Sequence, residues 1–238
     1  MINFFLILLV STSLSAMAAN APKDCEGKRE YQLDLRAIKE FEKFDVMAEL
    51  EMNDTAYTDN YKHYQIGARY LLSNGLKAGL HLKYSRGNRH DADWFPIGGG
   101  VWAWQSTKGR YEVEVFPEID YRRWIFKSPF AATMRARYIY NEYNEEQSLL
   151  LRAGLIRYWE KITLSAQYEI NYPLNYSEHT IDESWFYLGA LLPITKHFTL
   201  GHTMGIGKWG WSNPEGYPGT YKNEYKATKF NVFLNYYF

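Results

Sequence analysis

Lys229-Phe230-Asn231-Val232-Phe233-Leu234-Asn235-Tyr236-Tyr237-Phe238 is the stretch on which the fold turns. Successive side chains of an extended chain point to opposite faces. Phe230, Val232, Leu234, Tyr236 and Phe238 therefore share one face, and the run stops on an aromatic ring. A strand inside a soluble domain has no reason to finish on an exposed phenylalanine. The alternation alone predicts a strand; the terminal ring asks what that strand faces.

Working outward, the same period recurs along the chain. In 162–172, Ile162, Leu164, Ala166, Tyr168, Ile170 and Tyr172 oppose Thr163, Ser165, Gln167, Glu169 and Asn171. In 76–84, Leu76, Ala78, Leu80, Leu82 and Tyr84 oppose Lys77, Gly79, His81 and Lys83. Phe44, Val46, Ala48, Leu50 and Met52 make a third apolar face. Runs of about ten alternating residues separated by turn residues are the per-strand signature of a membrane barrel. A soluble sandwich would show alternation too, with its apolar face as the core. Two features favour the barrel: apolar faces end in Tyr or Trp, as at a lipid headgroup level, and connections alternate long and short.

In these features, and in the closing aromatic above all, the sequence resembles bacterial outer-membrane β-barrel proteins. Their last strand typically ends in an aromatic residue read by the barrel assembly machinery. The resemblance implies a Gram-negative outer-membrane location, contact with outer-membrane lipids and lipopolysaccharide, and recognition by that machinery through the strand ending in Phe238. A weaker resemblance is to small monomeric substrate-specific porins that pass acidic oligosaccharides. Those have twelve strands and a strongly basic lumen, from which this sequence departs.

The bulk properties agree with a single barrel. The chain has 238 residues, 46% hydrophobic and 18% aromatic, and its 27 Lys and Arg balance 27 Asp and Glu. Zero net charge leaves no basic footprint for nucleic acid. Mean hydropathy is negative, too polar for a helical membrane protein. Residues 2–10 are apolar apart from Asn3 and lead to Ala16-Met17-Ala18, so 1–18 is expected to be a signal peptide, although its first residues carry no Lys or Arg. That run is about half the ~20 residues a membrane span needs. Cys25 is the single cysteine, which excludes an internal disulfide, and Pro22-Lys23-Asp24 before it is unsuited to lipidation.

Counting back from the last strand gives an all-β, antiparallel, up-and-down barrel of ten strands over 44–238. Both of its ends lie on the side of the short, periplasmic turns. Tyr31, Leu33 and Leu35 also alternate with Gln32, Asp34 and Arg36. Because bacterial single-chain barrels have even strand numbers, 19–43 is expected to be a periplasmic segment or an extra strand. In the twelve-strand alternative, 94–105 supplies another strand.

The polar faces define the expected lumen. Glu112, Glu114, Glu118 and Asp120 sit on one inward face, Arg135 and Arg137 on the next strand, then Arg152 and Glu169, with His81 and Lys83 on the other side. An Arg or Lys facing lipid at the midplane costs roughly 2–4 kcal/mol, so these charges must point inward. A water-filled lumen with opposed acidic and basic walls orients polar solutes. A narrow lumen with the same residues is a plug of ion pairs. Gly67, Gly79 and Gly154, small and inward, favour the open reading.

The expected function is a small diffusion channel for polar solutes, constricted where Arg135, Arg137 and Arg152 face Glu112, Glu114 and Glu118. A closed structural or surface-interaction barrel is the alternative. Trp102, Trp104, Trp209 and Trp211, read as loop residues, are candidate ligand contacts or part of an interfacial girdle. A lipid-modifying enzyme is a third reading. It needs a nucleophile beside a base; none of His63, His81, His90, His179, His197 and His202 stands in a His-x-Ser motif, and His81 with Ser85 is the candidate pair. No catalytic residues, no metal-ligand spacing and no cofactor motif are expected.

Overall fold

The computed structural model describes residues 29–54, 61–86, 92–98, 101–106, 111–143, 145–175, 181, 183–212 and 222–238. Among them there is no helix. The strands are β1 (Arg29–Glu40), β2 (Phe44–Asp54), β3 (Tyr61–Ser73), β4 (Leu76–Arg86), β5 (Ala92–Gly98), β6 (Val101–Ser106), β7 (Tyr111–Trp124), β8 (Phe130–Asn141), β9 (Gln147–Tyr158), β10 (Thr163–Pro173), β11 (Glu183–Pro193), β12 (Phe198–Ser212) and β13 (Lys222–Tyr237). Eleven of them close a barrel in the order β1-β13-β12-β11-β10-β9-β8-β7-β4-β3-β2, while β5 and β6 form a separate two-stranded sheet.

The barrel therefore has eleven strands, neither ten nor twelve. The segment around Tyr31 is a full member, and the 94–105 stretch pairs only with itself. An odd number of up-and-down strands makes the first and last run the same way, so the closing pair has to be parallel. β1 pairs β13 in parallel from Arg29↔Thr228 to Ile38↔Tyr237, and β1 pairs β2 antiparallel. Arg29 consequently starts at the rim of the long connections, opposite the rim where β13 ends, so the two ends do not share a side. The seam is stitched inside and out. Asn231 Nδ2 donates to Asp34 Oδ2 at 2.9 Å, Lys229 Nζ lies 3.5 Å from Glu30, and the Tyr31 and Phe230 rings stack at 5.6 Å.

Short connections are built from turn chemistry. At Asn74-Gly75 only Gly75 takes a positive φ (81°), and the β3–β4 register shifts between Leu71 and Ser73. A side chain at Gly75 would also meet the Arg122 carbonyl oxygen at 2.0 Å, so position and neighbour both demand glycine. On β7, pairing with β8 lapses at Phe116 and Pro117, between Val115↔Tyr140 and Glu118↔Arg137. Pro117 has no N–H to give that side of the ladder.

Burial is inverted relative to a soluble domain. Ile66, 60% exposed, Leu80, Leu188, Ile206 and Tyr168 all face outward. Glu30, Asp34, Glu51, His63, His81, Glu118 and Glu169 are buried. The period-2 pattern is the cause: every barrel strand sends its polar set into the same enclosed space.

Candidate functional site

Every charged residue expected in the lumen faces it. On the β7–β8 wall, Glu118 is the register partner of Arg137 and Asp120 that of Arg135. Arg137 donates to Glu118 at 2.8 Å and Arg135 to Asp120 at 2.8 Å, with Arg135 Nε 3.7 Å from Glu118. One strand further, Arg152 donates through Nε to Glu169 at 2.6 Å, and the Tyr187 hydroxyl reaches the same carboxylate at 3.4 Å. Lys83 pairs with Glu114 at 2.6 Å, and His81 Nε2 lies 3.2 Å from Glu118. His81 also bonds Gln65 and stacks on Phe116, over whose ring Arg137 sits at 4.3 Å.

The expected opposition is thereby revised. Asp120 joins Glu118 as an arginine partner, Glu114 belongs to Lys83, and Glu112 lies buried next to Ser85 in the register, nearer the long connections. Acid and base are lateral neighbours on one wall, not opposite banks of a channel.

Inside lies a cavity of about 640 Å³. Its lining begins with Arg122, Thr163 and Asn235 near the short turns and reaches Asn141, Glu146 and Glu183 at the other rim. It follows the barrel over its whole height. The inward glycines contribute none of this space. A Cβ at Gly67 would meet the His81 ring at 2.0 Å, one at Gly79 would meet Arg69 at 2.7 Å, and one at Gly154 would meet Gln167 at 2.7 Å. Neighbouring side chains already fill those positions, so the small residues are seats for them and not openings.

A second wall, on β1–β3, escaped sequence reading. Asp34 and Glu49 both bind Arg36, and Gln32 Nε2 donates to Glu51 at 2.6 Å. His63 Nε2 lies 3.2 Å from Glu49 and 3.6 Å from Glu51. On the same side, Asp45 takes Arg69 at 2.8 Å and Lys77 at 2.6 Å. The available signal was the Glu49-x-Glu51 spacing on the polar face of a hairpin whose return strand begins near His63.

The backbone register places the other candidates on strands. Trp209 and Trp211 stand on β12, paired with Tyr225 and Asn223, and not in a loop. Trp102 and Trp104 belong to the β5–β6 sheet, opposite Pro96 and Trp94. His81 and Ser85, four residues apart on one extended strand, are about 13 Å from each other; Ser85 stands opposite His63 instead. Residues 1–18, expected to be a signal peptide, together with Cys25, His90 and His179, lie outside the described residues.

Compared with protein-family models, with curated proteins and with solved structures, the chain matches none.

Proposed function

We propose that the chain is a bacterial outer-membrane β-barrel whose lumen is a narrow diffusion channel for ions and small polar solutes. The outer apolar surface supports the membrane reading. Soluble monomers rarely expose a contiguous apolar patch beyond a few hundred Å², whereas here outward Leu, Ile, Tyr and Phe follow one another from strand to strand. The cavity carries the channel reading: charged groups line it from rim to rim. In a low-dielectric wall such groups act on a passing ion over the whole path. The closed-barrel reading draws on the Glu118–Arg137 and Asp120–Arg135 pairs, which neutralise much of that wall.

Single-channel recording of the refolded protein in a planar bilayer separates the two. The channel reading expects small, ohmic conductance steps. Replacing both Arg135 and Arg137 by Ala removes two guanidiniums from the wall and leaves Glu118 beside His81 and Asp120 beside Arg69, and the reversal potential in a salt gradient should move toward cation selectivity. Silence at every salt concentration favours the closed barrel, and unchanged selectivity removes these arginines from the permeation path.

A further inference from the structure

On the β1–β3 wall, we propose that Glu49, Glu51 and His63 bind one divalent transition-metal ion of the zinc or manganese class. The register brings them together. Glu51 and His63 are direct partners across the β2–β3 pair, and Glu49 stands two residues away on the same inward face. One donor atom from each lies within 4.8 Å of the others. The imidazole Nε2 is 3.2 Å from Glu49 Oε1 and 3.6 Å from Glu51 Oε2. Metal–ligand bonds of about 2.1 Å place adjacent donors roughly 3.0–3.4 Å apart, so small shifts suffice to seat an ion.

Two further features point to a metal. Both carboxylates are themselves held, Glu49 by Arg36 and Glu51 by Gln32 and Asn53, the outer support that fixes ligand orientation. Access is the second: Glu49, Glu51 and His63 all border the cavity, which leaves the remaining coordination positions to water. One imidazole nitrogen with two carboxylate oxygens suits zinc, manganese or ferrous iron better than calcium or magnesium, which prefer all-oxygen sets.

Calorimetric titration of the full-length refolded protein in detergent with Zn²⁺ and, separately, Mn²⁺ tests this without reference to conduction. One ion per chain is expected. His63→Gln and Glu51→Gln should each weaken binding by about 100-fold or more, and Gln32→Leu by about 10-fold, the size of an outer-support loss. The exposed His197 and His202, changed to Gln, should leave binding intact. No saturable binding, or equal binding by His63→Gln, overturns the site; the imidazole then merely shares its N–H between two carboxylates. X-ray absorption on the zinc-loaded wild-type protein needs no variant to fold. One imidazole nitrogen with oxygen neighbours supports the assignment, and two or more imidazoles overturn it. If the lumen conducts, zinc should also reduce the current; failure of that effect alone bears on the channel and not on the metal.

Discussion

The barrel has two charged walls of different kinds. On β7–β10, two arginine-bearing strands lie between two acidic ones, and carboxylates from either side reach the guanidiniums: Glu118 with Arg137, Asp120 with Arg135, Glu169 with Arg152. On β1–β2, Asp34 and Glu49 both bind Arg36, Glu51 accepts from Gln32, and His63 on β3 lies against Glu49 and Glu51. His81 stands between the walls, its ring over Gly67 and its Nε2 near Glu118. The first wall is self-neutralising and holds the barrel together. The second sets Glu49, Glu51 and His63 side by side on the cavity, the group proposed above to hold a cation.

That contrast sets the size of the mutational effects. Glu118→Ala should be the largest. Its side chain is 1% exposed and serves Arg137, Arg135 and His81, so truncation strands buried positive charge at a cost of about 3–5 kcal/mol. Urea unfolding of the refolded barrel in detergent reads this, and a loss below ~1 kcal/mol would break the view that matched pairs hold this wall. Gly67→Ala comes next. The added methyl drives the His81 ring off its seat, with an expected loss of about 1–3 kcal/mol in the same measurement. Glu51→Gln, measured without metal, should change stability least, by less than about 1 kcal/mol. The amide still accepts from Gln32, and relief of repulsion among clustered carboxylates offsets a weaker bond. A loss as large as that of Glu118→Ala would erase the distinction between the walls.

Ten of the eleven strands, and the facing of their side chains, were legible because a period of 2 repeated over ten residues is a local property. Glu118, Arg135 and Arg137 were legible as interior for the same reason. What failed was non-local. Tyr31, Leu33 and Leu35 alternate as plainly as any other strand, yet the parallel partnership with β13 lies some 200 residues away in sequence, and the expectation of an even count displaced it. The β5–β6 pair carries strand-like residues but runs of only 7 and 6, too short to cross, with Pro96 inside the first. Trp209 and Trp211 were read as loop residues, although the β12–β13 ladder stays paired through Ser212↔Lys222. The Glu49, Glu51 and His63 group needed the β2–β3 register, which two residues of spacing on one strand cannot supply. Glycines read as open space misled because a glycine's emptiness is available to its neighbours, and His81, Arg69 and Gln167 had taken it.

The parallel seam has a practical corollary for rewiring the chain. In an even-stranded barrel the first and last strands meet head to tail, so a turn of two residues can fuse them and the molecule can be circularly permuted at almost any loop. Here Tyr237 and Arg29 sit at opposite rims. A fusing linker would have to climb the full ~25 Å of the barrel, at least eight extended residues, through the lumen or along the apolar outside. Permutants of this chain should therefore tolerate only long linkers, and a short one would have to tear β1 from β13.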